Sequence, residues 1–159
     1  MAKVLGQSFI QLFARDFQIA WGDDKRYWKW INLYDKCPNE ASVAELIEVC
    51  FFDARTKFDT SILHPGTKYE VSFLIVVKEN AEGWQHPVKL GFVIPNVIEE
   101  EREEDFSKLG PKNQKIEIPV GKFIAPCQAG QMEIYMSGTE SLIWKKGIVF
   151  MGAMIRSTN

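Results

Sequence analysis

Short apolar runs with a two-residue period, separated by turn signals, constrain this chain more than any other feature. Phe13, Phe17, Ile19 and Trp21 share one parity, and Trp28 and Trp30 share a face opposite Lys29. Val88, Leu90 and Phe92 alternate, and residues 69–78 form a β-branched and aromatic run. Such runs are half-buried strands. Between them stand His64-Pro65-Gly66-Thr67, residues 80–83 and Pro95, all breakers of regular structure. Residues 115–120, 132–136 and 142–155 supply three or more further strands. Residues 43–52 read both ways: Val43, Leu46, Ile47 and Cys50 fit a helical stripe, while Val49-Cys50-Phe51-Phe52 is strand-like. We expect a short helical turn over 41–46 that passes into a strand reaching about residue 58. The pattern predicts an all-β sandwich or barrel of roughly eight strands with little helix.

One composition break interrupts the pattern. Residues 99–105, EEEREED, hold six acidic groups against one Arg. Blocks of like charge repel and stay solvated, so this segment is expected to be a long exposed loop closed by Gly110-Pro111. No repeat, linker or low-complexity tract divides the 159 residues, which predicts one domain. A net charge of −2 argues against a nucleic-acid binder driven by overall charge. Cys37, Cys50 and Cys127 are odd in number and lack metal-ligand spacing, which fits reduced thiols in a cytosolic protein. Gly6, Gln7, Ser8 and Gln11 interrupt the N-terminal apolar residues, so no signal peptide is read. The longest apolar stretch, residues 73–77, is far too short to span a bilayer.

The chemistry concentrates in residues 14–30, ARDFQIAWGDDKRYWKW. Three of the five tryptophans lie here, with Tyr27 and the charged Arg15, Asp16, Asp23, Asp24, Lys25 and Arg26. Two strand-like halves flank a Gly-Asp-Asp turn, so the rings of both halves are expected near one hairpin. Aromatic faces beside fixed polar groups suit a ligand with alternating apolar and hydroxylated surfaces, and a sugar is such a ligand. A strand tryptophan is more often a core residue than a platform. Turns lie on the surface, however, and buried indoles need partners for their N–H groups. Trp28, at the outer end of its strand, is read as a half-exposed platform. Trp21 suits either role, and Trp30 is read as packed inside. Asp23, Asp24 and Arg26 serve either as turn and ion-pair chemistry or as holders of sugar hydroxyls. Trp144, beside Lys145 and Lys146, is either an exposed platform or a packed edge ring. Asp23 and Asp24 are adjacent and point to opposite faces if extended. That is no acid–base pair for glycoside hydrolysis, which needs two carboxyls facing each other across a cleft. GxSxG, HExxH and P-loop motifs are absent from the sequence, so no enzyme and no cofactor or metal is expected.

The same run resembles the opening signature of the phloem protein 2, or Nictaba-like, plant lectins. The likeness continues through VAELIEVCFFDAR at 43–55 and LHPGTKYEVSFLIVVK at 63–78, and closes with MEIYMSGTESLIWKKGIVFMGAMIR at 132–156. The tryptophan-rich opening and the WKKGIVFMG ending are specific when they occur together. The resemblance spans residues 12–159 as a single lectin domain, leaving 1–11 as an N-terminal extension expected to be disordered. It implies a jelly-roll-like antiparallel sandwich and a non-catalytic, cytosolic, nuclear or phloem-sap protein. The implied ligands are N-acetylglucosamine oligomers or the N-glycan core. The implied site gathers Trp21, Gly22, Asp23, Arg26, Trp28, Glu133, Trp144 and Lys145, with Glu140 an alternative to Glu133. Weak single sites would be made useful by multivalency, hence a homodimer. A second reading is a structural phloem protein that binds protein or RNA partners, with Lys25-Arg26 and Lys145-Lys146 as small basic patches.

Overall fold

The computed structural model describes residues 3–5, 9–32, 42–140 and 142–158. The strands are β1 (Lys3–Leu5), β2 (Phe9–Phe13), β3 (Gln18–Ile19), β4 (Trp28–Asn32), β5 (Ser42–Leu46) and β6 (Phe52–Asp59). They continue with β7 (Lys68–Glu82), β8 (Val88–Ile94), β9 (Ile98–Glu104), β10 (Lys115–Ile124), β11 (Gln131–Gly138) and β12 (Lys146–Ser157). Three short 3₁₀ turns, at residues 14–16, 60–62 and 106–108, are the helical content of the described residues.

The strands form two antiparallel sheets, the β-sandwich that the alternating runs predict. In the first, β12 is central. It pairs with β7 along one edge and with β2 and β5 along the other. Beyond these lie β10, β1 and β4. The second sheet runs β3-β6-β11-β8-β9. Side-chain parity decides what each face does. On β11, Met132, Ile134 and Met136 point inward and are fully buried, while Glu133, Tyr135 and Ser137 point outward. On β8, Val88, Leu90 and Phe92 are buried against Phe73, Phe150 and Phe123 of the first sheet in one continuous core. Residues 9–11, set apart in the sequence with the N-terminal extension, begin β2, and Ile10 is buried beneath its pairing with Ile155 of β12.

Three local expectations are corrected. Ser42–Leu46 is a strand rather than a helical turn, and residue 41 lies outside the described residues. A segment this short cannot nucleate a helix on its own, whereas here it lies between β4 and β12 and gains ladder hydrogen bonds from both. The acidic block is the edge strand β9, not a loop. It pairs with β8 from Ile98↔Ile94 to Glu104↔Val88. Alternation splits its charges between two faces. Glu99, Glu101 and Glu103 stand opposite Val93, Gly91 and Lys89, and Arg102 pairs with Glu104 while donating to the Pro119 carbonyl at 2.7 Å. Finally, the halves of the tryptophan-rich run are not one hairpin. β3 belongs to the second sheet and β4 to the first, so residues 20–27 cross from one sheet to the other.

Candidate functional site

The crossing segment is held by the two indoles that follow it. Trp28 Nε1 donates to the Ala20 carbonyl at 3.1 Å, and Trp30 Nε1 donates to the Gly22 carbonyl at 2.8 Å. The Trp28 ring stacks on Phe52 at 6.2 Å and is 1% exposed. That corrects its reading as a half-exposed platform: a ring sealed in the core presents no face to a ligand. The physical reason is the sheet crossing, which turns the start of β4 inward over Phe52. Trp30 is half-buried, with the Arg15 guanidinium 3.7 Å from its ring centre.

What the two indoles brace is Trp21. It takes a left-handed conformation (φ 62°), stands outside either strand and is 57% exposed. Gly22 folds back under it, donating its N–H to the Ile19 carbonyl at 2.9 Å, where a side-chain carbon would crowd that same oxygen. The turn closes through Asp24, which accepts from the backbone N–H of Arg26 at 2.9 Å and grips its guanidinium at 2.7 Å. The Arg26 side chain, and then its backbone N–H, pull the Asp24 carboxyl down to about 2. The Asp23 side chain is exposed beside the hollow between Arg15 and Trp30.

The Trp21 ring meets Tyr27 edge-on at 5.9 Å, and Tyr27 stacks on Trp144 at 6.4 Å and 29°. Trp144 is 54% exposed, so three rings form a continuous solvent-facing series. Ile47 and Phe51 are exposed nearby, and Ile47 donates its N–H to the Tyr27 carbonyl. Trp144 belongs to the loop between β11 and β12. That loop is pinned by Lys145, which is 2% exposed, exchanges two backbone hydrogen bonds with Val49, and donates through Nζ to the Cys50 and Ile143 carbonyls at 2.8 and 2.9 Å. Burial lowers its pKa. Lys145 is therefore an anchor beneath the rings, which corrects its placement among surface groups of the platform.

Glu133 lies elsewhere. It faces outward from β11, paired with Arg55 at 3.3 Å and Lys57 at 3.8 Å. It sits five positions from Gly138, about 17 Å at ~3.3 Å per residue. Glu140 pairs with Lys89 at 2.5 Å. The structure thus brings together Trp21, Gly22, Asp23, Arg26 and Trp144 around the platform, buries Trp28 and Lys145 behind it, and separates Glu133 from it. Tyr27 was missed as a site residue. The signal was its parity with exposed Lys29, opposite the two core-side indoles. Cys50 is half-buried and Cys127 exposed, both as free thiols, while Cys37 lies outside the described residues. Among the described residues, no group of three or more His, Cys, Asp or Glu is placed to hold a metal ion. No helix among them is long and apolar enough to cross a membrane.

A rigid β-sandwich that holds bare aromatic rings in series at one end has the layout of a binding module. The chain belongs to the phloem protein 2 family, whose model matches residues 7–157. It is 35% identical to Protein PHLOEM PROTEIN 2-LIKE A1 of Arabidopsis thaliana over 92% of this chain, and it spans 61% of that relative's length. It is 33% identical to a protein named Lectin from Luffa acutangula, covering 92% of this chain and 69% of the relative. Another Lectin, from Coccinia grandis, is 28% identical over 90% of both chains. Among solved structures, a xylan-binding domain from Paenibacillus barcinonensis aligns at a TM-score of 0.45 and 10% identity, over 91% of each chain.

Proposed function

We propose that this protein is a non-catalytic lectin that binds N-acetylglucosamine oligomers, free or in the core of N-glycans. The observation that carries the reading is the series Trp21–Tyr27–Trp144, three adjoining rings with two of them more than half exposed. Pyranose rings present a face of C–H groups that gains by leaving water against such surfaces, and an acetamido methyl gains in the same way. Asp23, Asp24 and Arg26 border the rings and supply charged acceptors and donors for hydroxyl groups, which make short, strong hydrogen bonds. Relatives named Lectin in two plant species support the sugar assignment. The non-catalytic reading is supported by how the carboxylates are used: Glu133 is paired with Arg55 and Lys57, and Glu140 with Lys89.

Each site is shallow, so useful avidity would come from more than one copy, as in a homodimer. Calorimetric titration with N-acetylglucosamine and with chitotriose tests the proposal. The trimer should bind more tightly than the monosaccharide, and Trp144→Ala should weaken the trimer at least tenfold, about 1.4 kcal/mol. Unchanged affinity in that variant would move the site off the platform. No binding of either sugar to the native chain would leave the structural-phloem-protein reading in its place.

A further inference from the structure

A hollow of about 380 Å³ opens where the crossing segment leaves β3, between Arg15 and Trp30. That is the size of a small-molecule site. The rings of the platform do not line it. Trp30 forms one wall, its Nε1 tied to the Gly22 carbonyl at 2.8 Å. The Arg15 guanidinium stacks on that indole, 3.7 Å from the ring centre, which leaves its N–H fork at the rim of the stack. The backbone that carries Arg15 is fixed as well. In the 3₁₀ turn of residues 14–16, the Phe17 N–H donates to the Ala14 carbonyl at 3.1 Å and the Phe13 N–H to the Asp16 carboxylate at 2.8 Å. Asp23 reaches the same hollow from the crossing turn, where the Asp24 N–H donates to the Trp21 carbonyl at 3.0 Å. Both charged groups are therefore placed before any ligand arrives.

Neither charge is neutralised. Among the described residues, Arg15 and Asp23 have no ion-pair partner and do not pair with each other, whereas Asp24 beside them is taken by Arg26. A neutral sugar needs no such pair of charges. Opposite charges on one hollow cancel in net effect, which disfavours a pure anion or a pure cation and favours a ligand that carries both signs. A carboxylate suits the guanidinium fork, and an ammonium suits the Asp23 carboxylate, each through charge-assisted hydrogen bonds. The rest of the lining includes Phe17, Ile19 and the Trp30 ring, which is apolar. We propose that this hollow binds a free α-amino acid with an apolar side chain, its carboxylate on Arg15, its ammonium on Asp23 and its side chain against Ile19 and Trp30. This activity is separate from the carbohydrate reading above and does not rest on it.

NMR shift titrations with three probes test the charge pairing. L-phenylalanine carries both charges, while 3-phenylpropionate and phenethylamine keep the ring and one charge each. In the native chain, L-phenylalanine should saturate with shifts centred on residues 15–19, 23 and 30, and each single-charge compound should bind at least tenfold more weakly. Two variants test the place. Arg15→Met keeps an apolar stem over Trp30 and removes the fork. Gln18→Trp fills the hollow from an exposed position on β3, where an aromatic residue is favoured. Both should weaken L-phenylalanine at least tenfold while keeping the native melting temperature and the chitotriose affinity. No saturation by L-phenylalanine in the native chain overturns the proposal, as does equal binding of either single-charge compound or unchanged binding in either variant. Chitotriose affinity that falls in either variant assigns the hollow to the sugar and overturns the amino-acid reading. Chitotriose that fails to bind the native chain, with L-phenylalanine binding as expected, overturns the lectin reading alone.

Discussion

At the scale of single residues, two tryptophans seven positions apart take opposite roles. Trp28 is packed on Phe52, and its truncation to alanine should cost about 3–5 kcal/mol, a fall in melting temperature of roughly 6–20 °C at about 2–4 °C per kcal/mol. Trp21 is different. Its left-handed backbone is tolerated by asparagine, so Trp21→Asn should keep the melt near native while lowering chitotriose affinity at least tenfold. Reversed outcomes for the two variants would mean that the buried and exposed rings are misassigned. Asp24 gives a second handle. Its carboxyl sits at about 2, below the usual 3.8, chiefly because of the Arg26 guanidinium. A depressed carboxyl favours folding above its ordinary value, and that contribution disappears as pH falls through the folded value. The clasp should therefore survive at pH 4 and open only near pH 2. Carbon-detected NMR should put the Asp24 midpoint near 2, moving up toward 3.8 in Arg26→Ala; a native midpoint near 4 would show that the clasp does not form in solution. The cluster of rings and charges was legible in the sequence because it is local. Which indole faces water was not, since it depends on Phe52 and Trp144, which arrive from other strands.

At the scale of elements, β9 shows what composition hides. Six acidic side chains in a row read as a solvated loop, yet the strand period places alternate carboxylates on opposite faces, with Lys89, Tyr135 and Arg102 to meet them. Charge on an edge strand also discourages pairing with a second chain. Amide exchange over residues 98–104 should therefore show the alternating protection of an edge strand, with β8-facing amides slow. Glu-specific protease should leave the segment uncut in the native state. Early cleavage there would restore the loop. Other strands were easier to read: residues 88–92 and 132–136 alternate apolar with polar or small residues because one face is core, and residues 69–78 form a β-branched and aromatic run bounded by turns. β5 was hard because it is buried on both faces and loses its alternation, so a helical stripe fits as well. The sheet crossing at 20–27 was illegible for a further reason. The two flanking strands do not pair with each other: β3 finds its partner in β6, far along the chain, and β4 pairs with β5, the next strand, in the other sheet.

At the scale of the whole molecule, Lys145 joins the parts on which the sugar reading depends. It holds the β11–β12 loop against residues 49–50, and so places Trp144 beside Tyr27. Lys145→Met keeps the apolar stem and removes every donor of the head group. The Cys50 and Ile143 carbonyls then lose a partner, at about 1–3 kcal/mol for each group left unsatisfied, offset in part because no charge is buried. The variant should melt several degrees lower at pH 7, and its affinity even for a disaccharide should fall, because Trp144 is no longer held. A pH series separates this role from simple packing. Burial lowers the Lys145 pKa, so the unfolded chain binds more protons than the folded one in the alkaline range. Its contribution to stability is smallest below the folded value and rises as pH climbs toward the ordinary lysine value. The gap between the native and Lys145→Met melting temperatures should accordingly widen from pH 7 to pH 10. A constant gap would show that the ammonium carries no burial penalty. A lower melt with full disaccharide affinity would show that the platform holds its geometry without this anchor.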